Sequence, residues 1–298
     1  MKKKLILFAS AALCVASVSA QKLTPNNVDE IVKALTLEEK AELIVGGGWG
    51  SMTAGAMTAS SDVLVPGAAG TTNGVERLGI PRTVVSDGPA GVRISPTRPG
   101  TDQTYYATGF PVGTSLASTW NVQLVAEVGK AMGNEVLEYG IDVLLAPGMN
   151  IHRNPLNGRN FEYYSEDPFL TGKIATAYIN GIQSNGVGVS AKHYAANSQE
   201  TNRMGNDARV NQRALREIYL KGFEMVVKDA QPWTVMSSYN RLNGDINTQS
   251  DKELLTTLLR DEWGFKGIVM TDWTMRRNIA AQVSAGNDLM ERSEERRV

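Results

Sequence analysis

The sequence predicts an α/β protein of the (β/α)8, TIM-like barrel type, and two observations carry that prediction. From Pro81 onward, short apolar runs alternate with longer segments of helical spacing, the pattern of parallel strands covered by helices. At least four of the runs end in charged or hydrogen-bonding residues. An open doubly wound sheet gathers its ligand at one switch point, whereas a barrel brings every strand's C-terminal end to one rim. The distribution of polar strand ends therefore favours the barrel. With 298 residues, 42% hydrophobic and 20% charged, the chain can fill such a core, which excludes a disordered, collagenous or disulfide-stapled architecture. A formal net charge of −1 gives no basic face for nucleic acid.

Residues 1–20 read as a removable secretory leader and are set apart from the fold. Lys2, Lys3 and Lys4 precede an apolar stretch from Leu5 to Val18, and small residues through Ala20 offer a cleavage site before Gln21. The stretch is too short to span a bilayer. Cleavage removes Cys14, the sole cysteine, so no disulfide, Cys-ligated metal or Cys nucleophile is expected in the processed chain. The expectation is a periplasmic or secreted protein with no membrane attachment.

Helical spacing over Asn27–Val45 predicts one helix, stopped by Gly46-Gly47-Gly48. A long loop is expected over Gly46–Gly74, and it carries neither G-x-G-x-x-G after a strand nor a P-loop pattern. The five strand runs are Thr83–Val85 ending at Ser86-Asp87, Val143–Leu145 ending at Pro147, Val187–Ala191 ending at Lys192-His193, Trp233–Met236 ending at Ser237-Ser238-Tyr239, and Ile268–Met270 ending at Thr271-Asp272. Amphipathic helices are predicted over Val122–Tyr139, Pro168–Gln183, Asn211–Lys228 and Lys252–Trp263.

Only two histidines occur, His152 and His193, and neither belongs to a metal-binding spacing. No G-x-S-x-G elbow is present, and no dinucleotide fingerprint, so no metal and no cofactor are expected. The strand ends instead offer groups suited to a polyhydroxylated ring, on which carboxylates accept from paired hydroxyls while Arg and Lys donate. Asp87 opens Asp87-Gly88-Pro89-Ala90-Gly91-Val92-Arg93, where it also reads as a turn former. Gly158-Arg159-Asn160-Phe161-Glu162 runs into Ser165-Glu166-Asp167-Pro168, part of which reads as a helix cap. Lys192-His193 ends an apolar strand, where two ionisable groups are costly without partners. Asp272 precedes Trp273, pairing a candidate nucleophile with a flat ring on which a sugar can stack; its plainer reading is a capping Asp.

Together, these motifs resemble the glycoside hydrolase family 3 enzymes, the β-glucosidase and β-xylosidase group. The carriers are Ser86-Asp87-Gly88-Pro89, Gly158-Arg159-Asn160-Phe161-Glu162, Ser165-Glu166-Asp167-Pro168, Ala191-Lys192-His193-Tyr194, Met236-Ser237-Ser238-Tyr239-Asn240 and the run from Gly264 to Trp273. The resemblance implies a retaining double displacement on β-linked glucosides or oligosaccharides. It makes Asp272 the nucleophile, has Asp87, Arg93, Arg159, Lys192, His193, Met236 and Tyr239 line the subsite for the non-reducing sugar, and stacks Trp273 nearby. Retention needs the nucleophile about 5 Å from a second carboxyl. In the glucosidase-like branch that group comes from a second domain downstream, and the branch with a His-Asp acid/base is disfavoured because Ser198–Val210 contains no His.

The resemblance assigns residues 21–290 to the barrel. After Met290 the sequence leaves the family pattern for a charged tail over 291–298, which reads as a truncation, an incomplete eighth unit and an unpaired barrel edge. A β-xylosidase, an exo-glycosidase of mixed specificity and a catalytically weak sugar-binding fragment remain as alternatives, since one hydroxymethyl contact separates the first two from a β-glucosidase.

Overall fold

All five apolar runs form strands where the sequence puts them. In the computed structural model, which describes residues 22–46, 52–53, 56–57, 64–244, 246–273 and 278–291, they are β2 (Val84–Asp87), β3 (Val143–Leu145), β4 (Gly188–Tyr194), β5 (Thr234–Ser237) and β6 (Ile268–Thr271). The expected leader and most of the charged tail lie outside the described residues. β2 to β6 are parallel and neighbour one another in chain order, and β1 (Gly70–Thr71) joins the β2 edge antiparallel.

Alternation along each strand sorts side chains between two cores. Val84, Leu144, Val189, Ala191, Val235 and Val269 face outward into the larger one, shared with the helices. Val85, Val143, Leu145, Met236, Met270 and Leu289 fill the inside of the curl. The same period of two carries the polar groups to the inner mouth. Asp87 lies two residues past Val85, Lys192 is in register with Met236, and Asp272 lies two past Met270.

The covering helices include α4 (Val122–Glu138) and α5 (Pro168–Gln183). Asn121 caps α4 through the Leu124 N–H, while Asp167 caps α5 through the N–H groups of Phe169 and Leu170, so the capping reading of Ser165-Glu166-Asp167-Pro168 holds. Four expectations change. Asn27–Val45 is two helices, α1 (Val28–Ala34) and α2 (Leu37–Leu43), because Thr36 and Glu39 form a capping box that restarts the helix. The long loop contains β1 and an antiparallel ribbon of Met52–Thr53 with Ala56–Met57. Asn211–Lys228 divides into a π-turn over Leu215–Tyr219 and α6 (Lys221–Ala230), while the helix before Trp263 winds as π over Glu253–Glu262. Two further short helices are α3 (Gly113–Ser118) and α7 (Ile279–Ala285).

The curled sheet is a partial barrel whose gap is spanned by single bridges. Leu289 pairs with Met270 of β6, Met290 with Val45, and Gly46 with Thr72 beside β1. The Met290 N–H donates to the Ile44 carbonyl at 2.8 Å, and the Gly46 N–H to the Met290 carbonyl at 3.0 Å. The edge expected to be unpaired is therefore bonded, because these pairs need only two residues from each segment. Glu291, assigned from sequence to the charged tail, is 3% exposed, with its N–H bonded to Thr271 Oγ1 at 2.9 Å.

Candidate active site

Asp87, Lys192, His193 and Asp272 reach the mouth from three strand ends, and Arg159 reaches it from the loop between β3 and α5. Lys192 Nζ lies 3.3 Å from Asp87 Oδ1, and Arg93 Nη1 lies 3.7 Å from Asp87 Oδ2. The turn that brings Arg93 back closes through its N–H on the Asp87 carbonyl at 2.9 Å. It depends on Gly88, whose φ is +148° and whose added Cβ would lie 1.9 Å from the Gly91 carbonyl oxygen. A Gly88→Ala substitution should cost about 2 kcal/mol or more in denaturant unfolding and weaken sugar binding with it, by displacing the Asp87 carboxylate.

His193 is the hub of the buried half. Its N–H donates to Asn150 Oδ1 at 2.8 Å, Nδ1 lies 3.2 Å from the Tyr163 hydroxyl, and Nε2 lies 3.1 Å from Arg159 Nη1. A guanidinium only donates, so Nε2 is the acceptor and the ring hydrogen sits on Nδ1. Burial, reinforced by the charges of Arg159, Lys192 and Arg203, pushes the imidazole well below its ordinary value. His193 is thus a neutral acceptor facing Asp272 Oδ2 at 3.8 Å. Arg159 is fixed in turn by its ion pair with Glu162 and by Glu200 Oε1 at 3.9 Å.

Asp272 is 8% exposed. Burial raises its carboxyl above 3.8, opposed by a hydrogen bond from Tyr239, the charge of Lys192, the Trp273 N–H and the charge of Arg159. The Trp273 N–H donates to Oδ1 at 2.8 Å, leaving Oδ2 beside the imidazole. Lys192→Met removes one of the lowering influences. The pH at which Asp272 becomes available as an anion should then move upward, which the acid limb of a pH–rate profile reads.

Met236 lines the inner wall, and Tyr239 lies under the Arg203 guanidinium, 4.9 Å from its ring centroid. Trp273, at 6% exposure, packs with Val85, Met236 and Met270 on the inner wall of the curl. Sequence reasoning did not assign Asn150, Tyr163, Glu200 or Arg203 to the site. The i,i+3 spacing of Glu200 and Arg203, which form an ion pair at 2.9 Å, was the available signal. Among the described residues no three His, Cys, Asp or Glu side chains gather to hold a metal ion.

A (β/α)8-type barrel with a buried carboxylate among cations at the C-terminal ends of its strands belongs to the class in which ligands meet the rim. Residues 38–294 match the Glycosyl hydrolase family 3 N terminal domain, and the chain belongs to that family. It is 47% identical to the exo-alpha-(1->6)-L-arabinopyranosidase of Bifidobacterium longum, over 87% of this chain and 32% of that protein. It is 49% identical to beta-glucosidase A of Butyrivibrio fibrisolvens, over 71% of this chain and 25% of that protein. Among solved structures, beta-glucosidase 3B from Thermotoga neapolitana in complex with alpha-D-glucose superposes with a TM-score of 0.84 and 56% identity, covering 89% of this chain and 36% of that one. The chain thus spans about a third or less of the length of these relatives.

Proposed function

We propose that this chain binds the non-reducing β-D-glucosyl residue of a glucoside and supplies the nucleophile of a retaining double displacement. The buried Asp272 carboxylate, at the inner mouth beside Lys192 and His193, carries the reading. Asp272 Oδ2 attacks the anomeric carbon, the bond to the leaving oxygen breaks with its electron pair on that oxygen, and water later hydrolyses the glycosyl ester. Charge on the oxocarbenium-like state is balanced by the ionised rim, while Asp87, Arg159, Lys192 and neutral His193 hold the ring hydroxyls. The Thermotoga neapolitana relative, solved with glucose, supports glucose as the sugar.

The other rim carboxylates are committed elsewhere: Asp87 to Lys192 and Arg93, Glu162 to Arg159, Glu200 to Arg159 and Arg203. We therefore assign protonation of the leaving group to none of them. Glucosides whose leaving groups depart as stable anions should react, and those needing a proton should be slower by about 10²–10⁴-fold. The arabinopyranosidase relative favours a pentopyranoside as the second reading, alongside β-xylosidase or mixed specificity. The leader read at residues 1–20 supports export to the periplasm or medium.

Incubation with 2,4-dinitrophenyl 2-deoxy-2-fluoro-β-D-glucoside tests the assignment. The expected result is a single fluoroglucosyl adduct that peptide mapping places on Asp272. Saturable glucose binding without an adduct would reduce the chain to a sugar-binding fragment, and faster labelling by the corresponding xyloside or arabinopyranoside would transfer the specificity.

A further inference from the structure

A ring of hydrogen bonds closes on the peptide groups of Asp272. Its N–H donates to the Ser237 carbonyl at 3.0 Å. The Ser237 hydroxyl donates to Asn287 Oδ1 at 2.8 Å, and Asn287 Nδ2 donates to the Gln249 carbonyl at 2.6 Å. Gln249 Nε2 then donates to the Asp272 carbonyl at 3.5 Å, returning to the residue where the ring began. Gln282, on α7, donates to Gln249 Oε1 at 2.9 Å. Because the Asp272 carbonyl can only accept, it fixes the Gln249 NH2 toward it, which leaves Gln249 Oε1 to accept from Gln282.

All of these side chains are fully buried, where a polar group is costly unless bonded, and where apolar side chains of the same size would fill the space as well. What the polar set adds is direction. With both N–H and C=O of Asp272 held, the φ and ψ that aim its Cα–Cβ bond are fixed. The remaining side-chain rotation is held separately by the Trp273 N–H and Tyr239. The ring acts on the peptide rather than on the carboxylate, and it ties the site to α7 through Gln282 and Asn287, which flank that helix's C-terminal end.

We infer that Gln249 and Asn287 are positioning residues for the nucleophile, holding the Asp272 peptide so that its carboxylate meets the anomeric carbon in line. The inference rests on the reading of Asp272 as nucleophile. A displacement of about 1 Å at a reacting atom costs on the order of 10²-fold in rate, so loss of the ring should appear in the rate of bond formation and not in the affinity for sugar.

The full chain carrying Gln249→Leu is compared with the unaltered protein in two measurements: the kinetics of labelling by the dinitrophenyl fluoroglucoside, and hydrogen exchange at the Asp272 amide. The expected result is a maximal labelling rate reduced about 10- to 100-fold, a half-saturating concentration little changed, and faster exchange at that amide. Gln249→Glu supplies the second arm and preserves the shape of the side chain. Its protonated form can donate to the Asp272 carbonyl and its ionised form cannot, so its labelling rate should approach that of the unaltered protein below the pH at which this buried carboxyl ionises and fall above it. The inference is overturned if Gln249→Leu labels within about twofold of the unaltered protein, or if rate and affinity fall together. It is equally overturned if Gln249→Glu labels as slowly as Gln249→Leu at every pH. Absence of labelling in the unaltered protein would instead sink the nucleophile reading. Amide exchange then decides the ring by itself, and unchanged exchange at Asp272 in both variants would refute it.

Discussion

Replacing Asp272 with alanine should abolish fluoroglucoside labelling and lower turnover of a dinitrophenyl β-glucoside by at least about 10⁴-fold. Added azide should restore part of that turnover. In the alanine variant the space of the carboxylate is vacant, so azide can attack the anomeric carbon from the same face. The dinitrophenolate leaves with its bonding pair, and the product is the α-glucosyl azide. A residue that merely shaped the pocket would give no azide product. The variant should also be no less stable than its parent at neutral pH. Burial holds the Asp272 carboxyl above 3.8, so its ionisation weakens the folded state as pH rises from that value through the folded pKa. Its replacement by a neutral residue relieves the penalty, partly offset by the lost side-chain bonds to Tyr239 and Trp273. Loss of turnover together with a collapse of the unfolding midpoint would argue against the assignment.

The second large effect is expected at Glu291. Burial alone pushes its carboxyl from 4.5 to about 8, and one of its oxygens, Oε1, has no hydrogen-bond partner. The sign follows from the unfolded chain, which releases this proton near 4.5 while the folded chain keeps it to about 8. Stability attributable to this group is therefore complete below 4.5, falls progressively between those values, and is lost above 8. At pH 7 the penalty is on the order of 3 kcal/mol. Glu291→Gln removes the ionisation and should raise the thermal midpoint by roughly 6–12 °C at pH 7, with the gain vanishing near pH 4.5. Thermal melts of both proteins across pH 4–9 check it; parallel curves would refute the assignment.

The parts of the site that were legible in the sequence are those that strand geometry delivers. Asp87, Lys192 and Asp272 follow apolar runs by fixed steps, and a period of two decides which side of the curl they occupy. Arg159 and His193 came from motifs, and the structure joins them through Nη1 and Nε2. Asn150, Tyr163, Glu200 and Arg203 were not assigned because loops deliver them, and loop paths depend on tertiary contacts that no local period encodes. In the helices, the capping box at Thr36 outweighed an unbroken apolar period.

The single bridges that join Val45 to Met290, and Leu289 to Met270, set an order of events during synthesis. A ribosome has released most of the domain before the partner of Val45 emerges, so until then the curled sheet exists with that seam open and its edges able to pair with other chains. Aggregation during expression should therefore respond more to conditions that slow or crowd translation than to the stability of the finished fold.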